Sequence, residues 1–156
     1  QMHELASRIN VNLAISLNAS NDEVRSRLMP VNKRYPLREL IQACRDFPLH
    51  GKRRITFEYI LIQDLNDSIA DARCLVKLLH GVKAKVNLIP FNEHEGSKYK
   101  CPSEESINAF QSFLLQRNIV AIRRASKGQD ISAACGQLKG KLEPESHNTK
   151  SVERTE

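Results

Sequence analysis

Cys135 stands between Ala134 and Gly136 in the run Gly128-Gln129-Asp130-Ile131-Ser132-Ala133-Ala134-Cys135-Gly136-Gln137-Leu138. Neither neighbour carries a side chain large enough to cover the sulfur, so a bulky partner has access to it, and the thiolate is a strong nucleophile. An isolated intracellular cysteine is as often a small buried hydrophobe, and its surroundings have to decide between the two. The other cysteines, Cys44, Cys74 and Cys101, are widely spaced and form no CxxC pair. That pattern gives neither a disulfide framework nor a zinc site and fits a reducing cytoplasm. Cys44 and Cys74 fall on helical stretches and read as packing residues.

Other groups able to do chemistry are few. Glu93, His94 and Glu95 are ligand types, but adjacent residues in a polar loop read as solvated, and no metal site is expected there. Two roles fit Glu58, on a strand: binding ligand amino groups, or pairing with Lys85 of a neighbouring strand. The chain has no GxGxxG, Walker loop, GxSxG elbow or HExxH. Dinucleotide, nucleotide triphosphate, serine hydrolase and zinc protease chemistry therefore lack support.

The elements that must carry these residues follow from periodicity. Ile9, Val11, Leu13, Ile15 and Leu17 alternate with mostly polar residues and predict a strand over 9–17. Ser20, Asn21 or Asp22 can cap a short helix ending near Leu28, and Pro30 stops it. Pro36 opens a second helix with Leu37, Leu40, Ile41 and Cys44 on its buried face. Residues 53–62 alternate as a strand, with Ile55, Phe57, Tyr59 and Leu61 on one side. Asp67 or Ser68 caps a helix running to about His80, with Leu75, Leu78 and Leu79 inward and Gly81 as its stop. A strand over 85–91 leads into a long loop, 92–102, of the length that tends to be functional or mobile. Ser103 caps the next helix, in which Ile107, Phe110 and Leu114 face the core, and 118–125 form a last strand.

Strands alternating with helices predict β-α-β units in an α/β fold with a parallel sheet. A doubly wound sheet would show nearly continuous apolar strands, whereas here one face carries Asn10, Asn12, Ser16, Glu58 and Asn87. The expectation is a partial (β/α) barrel of parallel strands with helices outside and a polar lumen, its ligand at the carboxyl ends of the strands. Ser16, Asn18 and Asn92 occupy those ends. A single core-bearing unit over 1–140 is followed by a tail, 141–156, whose Pro, Glu, Ser, Asn, Thr and Lys predict disorder.

Composition sets outer limits. With 40% hydrophobic and 27% charged residues over 156 positions, and no apolar run near the length of a span, the chain reads as soluble. Lys and Arg total 24 against 18 Asp and Glu, a charge of +6 that favours polyanions. Aromatics are only 5%, so contact with RNA would rest on phosphate neutralisation rather than base stacking. Arg123, Arg124 and Lys127, just before the cysteine run, either neutralise phosphates or are solvated. Residue 1 is a glutamine, which fits a piece of a longer chain.

Five segments together resemble a known family. They are Leu13-Ala-Ile-Ser-Leu-Asn-Ala-Ser-Asn-Asp-Glu-Val-Arg25, Met29-Pro-Val-Asn-Lys33, Phe57-Glu-Tyr59, Asn87-Leu-Ile-Pro-Phe-Asn92 and the cysteine run. In that order they resemble the radical S-adenosylmethionine RNA methyltransferases of the RlmN and Cfr type, over nearly all of residues 9–140. The resemblance implies the carboxyl-terminal part of a radical-SAM partial barrel, a 4Fe–4S cluster, and transfer of a methyl-derived carbon to an adenine ring carbon. The implied substrates are ribosomal RNA (23S) and, in the RlmN branch, transfer RNA, with carbon 2 preferred over carbon 8. Ser16, Leu17, Asn18 and Asn92 match positions that contact S-adenosylmethionine. Cys135 matches the cysteine that one S-adenosylmethionine methylates; a 5′-deoxyadenosyl radical from a second then abstracts hydrogen from it. Sulfur suits that role, because it accepts a methyl group and stabilises a radical on the attached carbon.

The chain also departs from the family. It has no CxxxCxxC, the triplet that binds the cluster, and no glycine-glutamate segment for the cofactor's amino group. The family's second catalytic cysteine likewise has no counterpart and is expected upstream of Gln1. These 156 residues alone are therefore expected to bind no cluster and to be inactive. The alternative is a non-catalytic RNA-binding remnant of the same fold.

Overall fold

The structure, a computed structural model, describes residues 12–94 and 96–124. Cys135, Glu95, Lys127, the first residues of the strand expected over 9–17 and the tail expected over 141–156 lie outside them. Four strands, β1 (Ala14–Ser16), β2 (Ile55–Leu61), β3 (Ala84–Pro90) and β4 (Val120–Arg123), form one sheet in the order β1-β2-β3-β4. Every pairing is parallel, as the alternation of elements requires. Between β1 and β2 run α1 (Asp22–Leu28), a 3₁₀ turn (Pro30–Lys33) and α2 (Leu37–Arg45). The crossovers to β3 and β4 are α3 (Ile69–Leu78) and α4 (Glu104–Leu115).

α1, α3 and α4 start at a capping side chain, whereas α2 follows Pro36 and its first amide, Leu37 N–H, donates to Asp22 Oδ1 at 2.9 Å. Asn21 accepts from Val24 N–H at 2.8 Å and Ser103 from Ser106 N–H at 3.1 Å. Ser68 and Asp71 form a reciprocal capping box on α3, an arrangement that stabilises a helix by about 1 kcal/mol. The 3₁₀ turn was not expected. Pro30 does end α1, but with its φ preset it also opens the next turn.

Period two decides which face is covered. Ile55, Phe57, Tyr59 and Leu61 of β2, with Val86 and Leu88 of β3, are fully buried beneath the helices. From the helix side Ile41, Leu75, Ile107, Phe110 and Leu114 meet them, with the Tyr59 and Phe110 rings 5.5 Å apart. Complete burial of each such side chain stabilises by about 1.5–3 kcal/mol. Cys44 joins this core at 2% exposure. Cys74 does not: it is exposed, because α3 turns Ala72, Leu75 and Leu79 inward and leaves position 74 to solvent. Leu78, expected inward, is only half-buried for the same reason.

The other face of the sheet has no second layer among the described residues. Ser16, Glu58, Asn87 and Ile122 stand opposite one another in register across it, and Thr56, Lys85 and Val120 form the row before. This one-sided cover is what the strand patterns predicted. No helix among the described residues is long and apolar enough to cross a membrane.

Candidate functional site

The polar row on the open face has its own wiring. Register sets Asn87 directly opposite Glu58, and Asn87 Nδ2 donates to Glu58 Oε1 at 2.8 Å. Lys85, the partner considered from sequence, pairs instead with Thr56, one step further from the rim. Among the described residues the cation that faces Glu58 is Arg124, whose Nη1 lies 3.8 Å from Oε1. Arg123, on the opposite phase of the same strand, is bound by both oxygens of Glu104. Its guanidinium hydrogen bond holds the Glu104 carboxyl below the usual range.

At the carboxyl ends of the strands the chain makes a tight rim. Ser16 is the last residue of β1, and Asn18 follows in the left-handed conformation at φ 59°. Asparagine tolerates that region because its short side chain bonds locally. Here Asn18 Oδ1 accepts from Ile60 N–H at 3.2 Å, and its Nδ2 lies 3.3 Å from Met29 Sδ. Leu17 has its side chain in the core, so only its backbone can reach a ligand. Its N–H already donates to Glu58 O at 2.9 Å, and its carbonyl accepts from Arg25 Nε at 3.0 Å. Asn92, half-buried, follows β3 at the same end of the sheet, where Phe91 N–H donates to Leu61 O at 2.9 Å. The structure thus brings Ser16, Leu17, Asn18 and Asn92 to one rim. Cys135 lies outside the described residues.

Two buried polar residues that sequence reasoning missed hold this rim. Arg25 is 4% exposed on α1 and reaches Ser16 O at 3.3 Å, Leu17 O at 3.0 Å and Asn32 Oδ1 at 2.6 Å. Burial lowers its pKa and the charge of Asp22 opposes that shift. Asn32 passes the connection on, donating to Asp22 and Ser26. Asn66, 1% exposed, donates to Asn18 O at 2.8 Å and Ile60 O at 2.7 Å, and accepts from Ile62 N–H at 2.7 Å. The one available signal was that α1 has only Val24 and Leu28 to offer a core, so some polar residue had to fill its inner face.

The long loop after β3 is pinned rather than loose. Phe91 meets the Tyr99 ring edge-on at 6.0 Å, Gln63 N–H donates to Lys100 O at 3.0 Å, and Glu93 accepts from Cys101 N–H at 2.8 Å. Burial and the neighbouring Glu93 push the Cys101 thiol up. Among the described residues no cluster of three or more His, Cys, Asp or Glu is placed to hold a metal ion. A wide depression of about 1090 Å³ lies elsewhere, between α1, α2 and α3, and is lined by charges of both signs. The polar, open-faced rim is the better candidate.

This open parallel sheet, with a polar inner face and its rim at the carboxyl ends of the strands, has the α/β partial-barrel fold of solved radical-SAM proteins. A radical SAM methyltransferase from Sphaerobacter thermophilus superposes with a TM-score of 0.81 at 50% identity, covering 87% of this chain and 40% of that one. A domain of pyruvate-formate lyase-activating enzyme from Bacteroides vulgatus shares the fold, with a TM-score of 0.56 at 20% identity. Over most of its length the chain is also similar in sequence to RlmN-type RNA methyltransferases. It is 71% identical over 142 residues to the dual-specificity RNA methyltransferase RlmN of Syntrophotalea carbinolica, covering 91% of this chain and 38% of that protein. To the RlmN of Geotalea uraniireducens it is 54% identical over 143 residues, covering 92% of this chain and 42% of that protein. The chain therefore spans about two fifths of the length of these relatives. No family profile matches it.

Proposed function

We propose that this chain is the cofactor-rim and carrier-cysteine part of an S-adenosylmethionine-dependent RNA adenine methyltransferase. The observation that carries the reading is the 71% identity to an RlmN over 91% of the chain. The geometry agrees with it, since the rim presents neutral hydrogen-bonding groups over an open sheet face whose one carboxylate among the described residues is Glu58. Ser16, Asn18 and Asn92, with the Leu17 backbone, suit the polar ends of S-adenosylmethionine. When bound, that cofactor supplies the transferred methyl group.

In this reading Arg25 and Asn66 fix the backbone that the cofactor meets, and Glu58 with Arg124 keeps charge balanced beneath it. Cys135 carries the methyl group, and the substrate is ribosomal RNA and also transfer RNA, at carbon 2 of adenine. The residues present do not fit a 4Fe–4S cluster: the sequence has no CxxxCxxC, and the described residues hold no ligand group. The 156 residues by themselves are therefore inactive. In a full-length protein carrying this chain, mass spectrometry is expected to find a methyl group on Cys135, and Cys135→Ala to abolish RNA methylation. An unmodified Cys135 in an enzyme that still methylates RNA would refute the carrier role. A full-length protein that binds RNA without methylating it would favour a non-catalytic remnant.

A further inference from the structure

At the amino-terminal end of the sheet, opposite the Asn18 and Asn92 rim, lies a second depression of about 490 Å³. The loops that enter β2, β3 and β4 converge there. Gly51 at φ 65° and Asn118 at φ 59° supply the left-handed turns that two of them need. Lys52, Arg53, Arg54 and Lys83 line the depression, and among the described residues no carboxylate does. No ion pair among the described residues engages any of the four. The floor is apolar: Leu79 is 3% and Ala84 8% exposed, and Val82 and Ile119 pack against the core.

Four like charges over a low-dielectric floor repel one another and focus a positive potential outward. An incoming polyanion relieves that repulsion. Arg123 and Arg124 at the other rim differ, because each already faces a carboxylate. The lining also includes none of the exposed large apolar side chains that a protein partner would use as anchors. A surface of unpaired cations without apolar anchors matches the sequence-independent phosphate contacts that position nucleic acid.

We propose that this depression is a second RNA contact, binding backbone phosphates of the substrate at the end of the sheet remote from the reaction. The proposal rests on the RNA methyltransferase reading. The seven residues of β2 separate the two rims by about 20 Å, a span that a folded RNA exceeds.

The test uses a cluster-loaded full-length protein carrying this chain, with transfer RNA binding followed by fluorescence anisotropy between about 50 and 200 mM salt. The triple variant Lys52→Glu, Arg54→Glu, Lys83→Glu is compared with Arg38→Glu, Arg73→Glu, Lys77→Glu, which changes net charge equally on the helix surface. The first set is expected to lower RNA affinity at least about tenfold and to flatten the log–log salt slope by about 2, with the second nearly unchanged. Methylation of Cys135, which precedes RNA, should persist in both. Equal losses in the two sets, or none in the first, overturn the proposal. Should the first set fail to fold, protection of wild-type Lys52 and Lys83 from acetylation by bound RNA decides instead, and absence of protection overturns it. A wild-type protein that binds RNA but leaves Cys135 unmethylated refutes the functional reading alone, because anisotropy still reports on the depression.

Discussion

Asn66→Ala is the substitution that most directly probes how the rim is held. The side chain closes three hydrogen bonds, to Asn18 O, Ile60 O and Ile62 N–H, and is 1% exposed, so water does not replace them readily. Each neutral bond contributes about 1 kcal/mol net, and the orphaned groups add part of their desolvation cost. The expected loss is about 3 kcal/mol, a large share of the roughly 5–15 kcal/mol available to a domain. Urea unfolding of the chain, followed by far-ultraviolet circular dichroism, should show a midpoint lower by about 1–2 M at unchanged slope. Asn66→Asp sharpens the test, because a carboxylate sets negative charge against the carbonyls of Asn18 and Ile60. Those carbonyls raise the pKa of the introduced carboxyl in the folded state. The variant is therefore most stable with that carboxyl protonated and loses stability as pH rises through its folded pKa, the Ile62 N–H offsetting part of the rise. A midpoint shift worth under about 0.5 kcal/mol for Asn66→Ala, or a pH-independent deficit for Asn66→Asp, would refute the reasoning.

Two further outcomes follow from burial. Cys44 is enclosed and its thiol pushed up to about 11, whereas Cys74 is exposed. At pH 8 an alkylating reagent should label Cys74 quickly and Cys44 only on unfolding, as peptide mapping would read; comparable native rates would contradict the packing described. Arg25→Met removes three hydrogen bonds, two to the rim carbonyls of Ser16 and Leu17 and one to Asn32. In a full-length protein it should weaken S-adenosylmethionine binding about tenfold, measured calorimetrically, and Arg25→Lys should recover part of the loss. Unchanged affinity in a folded Arg25→Met protein would show that Arg25 only packs.

The sheet was readable from sequence because burial on one side imposes period two, and β2 shows it without exception from Ile55 to Leu61. Strand ends were less readable. They depend on the partner: Ala84 joins β3 because it stands opposite Ile55, which nothing within 84–91 announces. Cys74 was misplaced because the helical stripe locates Leu75 and Leu79, while a small neighbour fits either side of its boundary. At the rim, Ser16, Leu17, Asn18 and Asn92 were assigned through family resemblance, and strand direction gathers them at one end. Arg25 stayed hidden because its partners, seven to nine residues away, meet it only once the chain turns on either side of α1, and Asn66 because one of its partners lies across the fold. Asn66 reaches a residue 48 positions away, and no local pattern distinguishes it from the other polar residues of its turn.

The Asn18 amide also sets a polarity. With Oδ1 committed to Ile60 N–H, the oxygen cannot turn outward without breaking the edge of the sheet, so the group left for an incoming molecule is Nδ2, now beside the Met29 sulfur. A thioether is a weak acceptor and readily displaced. Whatever docks at this point of the rim therefore meets a donor and must answer with a lone pair, which admits a carboxylate, a hydroxyl oxygen or a ring nitrogen and rejects an ammonium.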